Sequence, residues 1–430
     1  MLKIFSISLG CPKNRVDSER VLGSLGPLRV VQQPGRADLV FINTCGFILP
    51  AVEESVQVIV QAVKRRERLK RRPLLVVAGC LVGRYGAASL AGELPEVDLW
   101  LDNHELEDWP ALLARALGLV EPPAGRLLST GPAYAWLKIS EGCEHKCAFC
   151  TIPAIRGPLR SLSAGDLLRE ARELLDAGVR ELVLVAQDVT AWGRDTGQKD
   201  ALLPLLADLQ KLPGLSWLRL LYLYPAGLSR NLLDFMREAC ASGPLLPYFD
   251  VPVQHAHPEI LSRMGRPFAR DPRRVFDAVR EKIPEAALRT SLIAGFPGES
   301  EEHFASLENF VRDLRFNQLG VFCYQPEEGT RAASLPGQVP EALKEERRER
   351  LMRLQAEISA EKLAELQGQV MSVLVDASQP DWPGLHRGRI WSQAPEIDGI
   401  CYVSGDGVQP GALVQAEIVE SHDYDLSALV

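Results

Sequence analysis

Three short apolar runs open the chain, Ile4-Phe5-Ser6-Ile7-Ser8, Leu39-Val40-Phe41-Ile42 and Leu74-Leu75-Val76-Val77-Ala78. Each is followed by a Gly or Asn turn and a segment of helical pattern, which predicts βαβ units and a parallel sheet. Cys11, Cys45 and Cys80 stand two to three residues beyond the three runs, at separations of 34 and 35. In an open parallel sheet the carboxyl ends of the strands share one edge, where ligands bind, so one cysteine per βα unit predicts three thiols gathered at one place. Free cysteine is often buried after a strand for packing alone, but repetition at one unit spacing favours a site.

A second group is compact. Lys138-Ile139-Ser140-Glu141-Gly142-Cys143-Glu144-His145-Lys146-Cys147-Ala148-Phe149-Cys150 places Cys143, Cys147 and Cys150 on one loop just after an apolar run. Thiolates so placed are ligands. A structural zinc site wants a fourth Cys or His, for which His145 is the candidate; three thiolates alone leave one iron of a cubane cluster open to a substrate. A zinc knuckle and unliganded thiols are the alternatives at this point.

At 430 residues the chain has room for more than one domain. Its nine cysteines are an odd number spread over a long sequence, unlike a disulfide framework. No apolar run reaches membrane-spanning length and Met1-Leu2-Lys3 leads straight into the first strand, which together predict a cytoplasmic protein without a membrane partner. A net charge of −8 argues against general affinity for nucleic acid and suits a basic protein partner. Asn14, Asp17, Ser18 and Glu19 read as residues that cap or open a helix. The basic run Lys64 to Arg72 reads as the solvated end of a helix, with a ribosome-facing patch as the alternative.

Glu121-Pro122-Pro123-Ala124-Gly125 reads as a linker. Beyond it lie six strand candidates separated by helical segments: Ala135–Ile139, Glu181–Val185, Trp217–Tyr222, Tyr248–Val253, Leu288–Ile293 and Gln318–Phe322. Six βα units are too few to close an eight-stranded barrel and predict a partial (βα)6 barrel whose working rim is at the C-terminal strand ends. That rim gathers Cys143, Cys147 and Cys150 with Gln187, Asp188, Tyr224, Gln254, His255, Gly295 to Glu299 and Tyr324 to Thr330. Singly, each polar residue there has a structural alternative, such as a helix cap at Gln187-Asp188 or a satisfied histidine at His255. Pro340 to Leu366 reads as a charge-rich helix that stops at Gly368. Four short β-like runs, Val370–Val375, Gly388–Trp391, Ile400–Val403 and Leu413–Val419, then predict a small OB-like antiparallel barrel. Glu365 to Val430 holds ten acidic residues against Arg387 and Arg389 and no lysine, a poor footprint for RNA.

Across its whole length the chain resembles the radical S-adenosylmethionine (SAM) methylthiotransferases, in the branch that modifies a ribosomal protein. The resemblance rests on Leu9-Gly10-Cys11-Pro12-Lys13-Asn14, Ile42-Asn43-Thr44-Cys45-Gly46-Phe47, Gly79-Cys80-Leu81, Ile139-Ser140-Glu141-Gly142-Cys143, Arg156-Gly157-Pro158-Leu159-Arg160-Ser161, Val253-Gln254-His255, Glu327-Glu328-Gly329-Thr330, Ala394-Pro395-Glu396-Ile397-Asp398-Gly399 and Asp423-Tyr424-Asp425-Leu426. Pro12-Lys13 and Gly46 separate it from the related tRNA-modifying branch. Leu162 and Gln393 depart from the family's usual arginine and aspartate, away from every expected iron ligand.

The resemblance implies three domains: an auxiliary-cluster domain at 1–120, a radical-SAM core at 129–362 and a terminal barrel of the TRAM type at 365–430. It implies two 4Fe–4S clusters, an auxiliary one on Cys11, Cys45 and Cys80 and a SAM-binding one on Cys143, Cys147 and Cys150. The implied reaction is methylthiolation of an aspartate β-carbon in small-subunit ribosomal protein twelve, with SAM as methyl donor and as source of a 5′-deoxyadenosyl radical. An electron donor such as flavodoxin or ferredoxin is implied as well. SAM is expected across the rim, its adenine near Phe149 and its polar ends near Gln187, Gln254 and Gly295. The acidic terminal barrel, with Asp423 and Asp425, is expected to meet protein; a tRNA adenosine methylthiotransferase, the alternative, is expected to carry a basic barrel.

Overall fold

The structure is a computed structural model that describes residues 1–119, 125–268 and 270–430. Glu121 to Ala124 of the expected linker lie outside the described residues.

The first sheet holds β1 (Leu2–Ser8), β2 (Leu28–Val30), β3 (Leu39–Thr44), β4 (Leu74–Gly79) and β5 (Leu99–Asp102), in the order β2-β1-β3-β4-β5 with all pairs parallel. The sequence expected β1, β3 and β4; the two it missed are short edge strands. Every residue of the central β3 is buried, as a strand covered by helices on both faces requires. The ends of β1, β3 and β4 deliver Cys11, Cys45 and Cys80 to the same edge.

The central region carries β6 (Tyr134–Lys138), a two-stranded ribbon of β7 (Ser140–Glu141) and β8 (Arg160–Ser161), then β9 (Glu181–Val185), β10 (Trp217–Leu220), β11 (Tyr248–Asp250), β12 (Ala287–Ala294) and β13 (Gln318–Cys323). The six parallel strands form an arc in the order β6-β9-β10-β11-β12-β13. Between β10 and β11 the ladder thins to the bridge Leu218–Leu245, so the arc divides into two three-stranded sheets. An open arc leaves two edges to be covered. Helix Pro12–Gly23 lies along β6 and helix Glu341–Ala364 along β13, so each edge is closed by a neighbouring part of the chain.

The last region closes as a barrel of β14 (Val370–Ser378), β15 (Leu385–Ile390), β16 (Cys401–Ser404), β17 (Leu413–Ser421) and β18 (Leu426–Leu429), in the order β14-β15-β16-β18-β17. The sequence reading lacked β18, whose pairing with β16 is parallel where an antiparallel barrel was expected. Asp425 helps to seat β18, its Oδ1 accepting the Ile400 N–H at 2.7 Å, so one of the two acids in the Asp423-Tyr424-Asp425 motif serves the barrel's own closure.

The segment between β15 and β16 plugs the N-terminal mouth of the arc. The Tyr134 hydroxyl donates to Glu396 Oε1 and the Tyr248 hydroxyl to Asp398 Oδ2, both at 2.6 Å. Arg389 Nη1 meets Glu181 Oε2 at 2.7 Å, and Arg219 meets both Glu181 Oε1 at 2.6 Å and the Trp391 carbonyl at 2.8 Å. Tyr134, Glu181 and Tyr248 each begin a strand, so this end is sealed and only the opposite rim is left for chemistry. Among the described residues no helix is long and apolar enough to cross a membrane.

Replacing Arg389 with Met leaves Asp376 unpaired and Glu181 with Arg219 alone. Breaking a buried pair from one side costs about 3 kcal/mol, so the thermal midpoint of the intact chain should fall by several degrees. A midpoint equal to the parent's would show that packing replaces the ion pair.

Candidate functional site

Asn14 ties the first thiol group together. Its Nδ2 donates to the carbonyls of Thr44 at 2.8 Å and Leu9 at 3.2 Å, pinning the turns after β3 and β1. Its Oδ1 lies 3.5 Å from Cys80 Sγ and 3.9 Å from Cys11 Sγ. Cys45 comes in from the third side: a Cβ on Gly10, where φ is +87°, would stand 3.2 Å from Cys45 Sγ. A Cβ on Gly46 would strike the Cys80 carbonyl at 2.7 Å, so glycine is needed for this approach. Asn103 Nδ2 donates to Cys80 Sγ at 3.5 Å. Burial pushes the Cys45 thiol up to about 11 and raises Cys80 as well. Burial acts on Cys11 in the same direction, but Lys13 and Arg156 outweigh it and hold that thiol below its usual range.

The second group sits at the rim on the loop after β6 and β7. Gly142, with φ +75°, lets this loop pass under Pro158, whose carbonyl would lie 1.9 Å from a Cβ at that place. Backbone bonds from Cys143 N to Gly157 O at 3.1 Å and from Ala148 N to Met264 O at 2.8 Å hold its two ends. Arg266 donates from Nη1 to Cys147 Sγ at 3.4 Å and lies 4.5 Å from the centroid of Tyr224. Burial raises Cys143 and pushes Cys150 up to about 12. His145, the candidate fourth zinc ligand, is engaged elsewhere: Nε2 is 2.7 Å from Asp188 Oδ2 and the ring stacks on Tyr224 at 3.6 Å. A cavity of about 520 Å³ opens over the three cysteines, bordered by Pro153, Pro158 and Gly329 to Arg331.

A buried ionic wall separates and joins the two groups. Lys138 Nζ meets Asp17 and, at 2.8 Å, Glu141 Oε2. Arg156 Nη1 reaches both Glu141 oxygens at 2.8 Å and Asp17 Oδ2 at 3.3 Å, while Nη2 donates to Asn14 Oδ1. Burial pushes the Glu141 carboxyl up, but Arg156 and Lys138 outweigh it and hold it well below the usual carboxylate range. Asp17 and Asn14 are therefore not helix caps as the sequence suggested. Cys11 is the N-cap residue, and Glu19 is also buried, held by Arg126 at 2.6 Å and by Ser129. Further clasps bring the groups face to face. Thr151 Oγ1, next to Cys150, donates to the Phe47 carbonyl at 3.1 Å, and Glu327 takes Arg84 at 2.8 Å and the Leu49 N–H at 2.7 Å.

The expected SAM contacts fall on the same rim with different surroundings. Phe149 packs against the apolar cluster of Ala148, Ile260, Met264 and Phe296. Gln187 Nε2 donates to Glu141 Oε1 at 3.2 Å, and its Oε1 is buried without a hydrogen-bond partner among the described residues. Gln254 has φ +75° and bridges to Leu292, so its backbone is strained at the rim. Gly295 gives its N–H to Glu299 Oε1 at 3.0 Å, and a Cβ there would lie 2.2 Å from Lys344 Cγ. His255 is the satisfied histidine of the structural alternative, fully buried between the His257 N–H and Glu299. Sequence reasoning passed over Arg266 and used Lys13 only as a marker of the branch, giving neither a chemical role, because neither stands in a ligand-like spacing.

Residues 137–311 match the family described as the Radical SAM superfamily, residues 3–102 the Uncharacterized protein family UPF0004, and residues 368–430 the TRAM domain. The chain resembles a solved radical SAM methyltransferase, TsrM from Kitasatospora setae, at a TM-score of 0.52 and 13% identity over 90% of this chain and 78% of that one, which is a likeness of fold. Fold and rim thus define a radical-SAM protein with an N-terminal α/β sheet and a terminal TRAM barrel. Ribosomal protein uS12 methylthiotransferase RimO of Nitratidesulfovibrio vulgaris strain DP4 is 64% identical over 100% of both chains, and the protein of that name from Aquifex aeolicus is 41% identical over 99% of this chain and 96% of its own. The chain belongs to the uS12 methylthiotransferase family.

The depressed Glu141 carboxyl makes the wall sensitive to acid. Its folded value lies below the unfolded value of about 4.3, so its stabilisation is full above about pH 5 and is lost as pH falls through the folded value. The Glu141→Gln variant should be less stable than the parent at pH 7, with the gap narrowing steadily toward pH 3 in denaturant titrations. A gap independent of pH would show that the carboxylate charge is not what matters.

Proposed function

We propose that the chain methylthiolates the β-carbon of an aspartate in ribosomal protein uS12, with residues 1–120, 129–362 and 365–430 as its three functional domains. The observation that carries this reading is the facing of two three-thiol groups across one buried wall, in a chain 64% identical from end to end to a uS12 methylthiotransferase. An unactivated C–H bond has no acidic proton for a base to take, so the reaction calls for a radical cofactor.

Cys143, Cys147 and Cys150 would hold one 4Fe–4S cluster and Cys11, Cys45 and Cys80 the other. When bound, these clusters with SAM supply the one-electron chemistry that opens the C–H bond and the sulfur and methyl group that replace the hydrogen. The donor sets fit: each group offers three convergent thiols, and each receives an N–H on sulfur, from Asn103 and from Arg266, of the kind that favours thiolate. With His145 engaged by Asp188 the loop presents three ligands and leaves a position open, which suits a substrate-binding iron better than structural zinc. The unpartnered Gln187 Oε1 is an acceptor suited to a ribose hydroxyl or amino group of SAM, with Phe149 and Gln254 as further contacts. Gly295 would contribute through its backbone carbonyl, its N–H being taken by Glu299.

The exterior suits a basic protein. Of the two arginines in the terminal barrel, Arg389 is buried against Glu181 and Asp376, while Glu365, Asp381, Asp406, Glu417, Glu420 and Asp423 are exposed. That surface repels phosphate and disfavours tRNA. The electron would come from a small redox protein such as flavodoxin or ferredoxin.

Mass spectrometry of ribosomal protein and tRNA from a strain lacking the gene tests the reading. The uS12 aspartate should lose its methylthio group while tRNA is unchanged; a normal uS12 mass would overturn it. Anaerobically reconstituted protein should contain two 4Fe–4S clusters by iron and sulfide analysis. Cys147→Ala should abolish reductive SAM cleavage, whereas Cys45→Ala should retain cleavage and lose methylthiolation. Zinc in place of iron, or equal loss of both activities in the Cys45 variant with the first cluster intact, would count against this division.

A further inference from the structure

Eight lysine and arginine side chains belong to the buried set: Lys13, Lys138, Arg156, Arg219, Arg266, Lys344, Arg347 and Arg389. Six of them meet a carboxylate at salt-bridge distance. Among the described residues, Lys13 and Arg266 do not. Arg266 is occupied by Cys147 Sγ, the Pro252 carbonyl and the Tyr224 ring. Lys13 is left with one long hydrogen bond, to the Ala186 carbonyl at 3.4 Å, and a cation–π contact with Tyr222 at 3.6 Å.

The placement of this ammonium is informative. It stands two residues after Cys11 and is only 8% exposed. Its partners are rim residues: Ala186 directly follows β9, and Tyr222 lies two places beyond β10. Tyr222 is held at φ +58°, a conformation that bulky residues seldom adopt, so the face under the lysine is kept at a cost in backbone strain. Lys138, another buried lysine near the rim, shows what the fold does with a cation that serves structure, since it is enclosed by Asp17 and Glu141. The Tyr222 hydroxyl, the Cys11 thiol and the Glu141 carboxylate favour the Lys13 charge, but no carboxylate among the described residues reaches it at salt-bridge distance, so the contact position of the ammonium is left for an anion that arrives.

We propose that Lys13 binds the side-chain carboxylate of the target aspartate and so makes the site selective for an acidic residue; this rests on the aspartate-directed reading given above. The reacting β-carbon carries that carboxylate directly. Gripping it beside Cys11 sets the β C–H bonds between the two thiol groups and leaves asparagine, which brings no charge, poorly held. Lysine suits the task because its ammonium is a point charge that needs no bidentate geometry. Lys13 is a binding and specificity residue in this assignment. The competing use of its charge is to offset the charge of a cluster on Cys11.

The test uses the reconstituted full chain without SAM and two labelled peptides spanning the uS12 target loop, one with the aspartate and one with asparagine in its place. By anisotropy the parent should bind the aspartate peptide about tenfold more tightly, as a hydrogen bond to a charged group implies. Lys13→Met should bring the two affinities within about twofold, and Lys13→Arg should restore part of the difference. Iron content and the electron paramagnetic resonance signal of the Cys11 cluster should match the parent in both variants. A parent that binds the two peptides equally overturns the assignment without any variant. So does a Lys13→Met protein that keeps the tenfold preference, and a shifted cluster signal with the preference kept would make Lys13 the cluster's counter-charge. If the parent modifies no uS12 residue at all, it is the functional reading that fails; if it modifies the aspartate and Lys13→Met still discriminates, only the lysine assignment falls.

Discussion

The polar face of helix Pro12–Gly23 is buried, and the architecture around the site depends on that burial. A helix that places Asn14, Asp17 and Glu19 against the edge of a parallel arc would be costly if those groups were unpaired. Each instead finds a partner contributed by the central region or the stretch before it: Arg156 for Asn14, Lys138 and Arg156 for Asp17, Arg126 and Ser129 for Glu19. Sliding the first sheet along β6 would part every one of these pairs at once. Such a wall adds little net stability compared with apolar packing, but removal of any one member leaves buried charge behind. What it provides is register, and register is what two thiol groups contributed by separate regions require.

The same logic runs through the other end of the arc. Parallel arcs offer two mouths, and a ligand site needs only one of them. Here the lower mouth is filled by residues from the terminal barrel, with Glu396 and Asp398 taking the hydroxyls of Tyr134 and Tyr248. Arg15, on the helix that closes the β6 edge, also pairs with Glu396. The three regions therefore meet at a common set of side chains and not at three separate interfaces. Displacing the terminal barrel would open the interior to water from below, where Trp136, Val183 and Tyr248 now form an apolar core.

Much of this was legible in the sequence where one residue type repeats at one interval. The three cysteines after β1, β3 and β4 and the six apolar runs of the arc follow from strand and unit spacing, which is local information. The wall was not legible, because Asp17 and Lys138 are 121 positions apart and each alone looks like an ordinary surface charge. Asn14 and Asp17 were read as capping residues for the same reason: position after a turn is visible, and a partner from another region is not. β18 was missed because Leu426-Ser427-Ala428-Leu429 carries no β-branched residue and is a strand only through its neighbours. The SAM contacts stayed at the level of a rim, since which amide faces a ligand and which faces Glu141 is settled by packing.

Charge is sorted between surface and interior in a way that matches the chemistry assigned to the chain. The chain carries a net charge of −8, most plainly on the terminal barrel, a sign that would attract a basic protein over roughly a Debye length of about 8 Å at physiological salt. Basic targets bring few anionic groups, and an acidic surface would repel those at the final approach. The interior answers with cations beside the thiols: Lys13 and Arg156 near Cys11, Arg266 on Cys147. In the proposed reaction, clusters held by thiolates, the carboxylate of SAM and the carboxylate of an aspartate would all be anions desolvated where the edge of the first sheet faces the rim. A protein acidic throughout would repel them, and one basic throughout would collect nucleic acid. Attraction at long range and charge reversal at short range are thus separate tasks. The residues suited to each task are kept apart by the thickness of the arc, the acidic barrel at one mouth and the cations beside the thiols, Lys13, Arg156 and Arg266, toward the other.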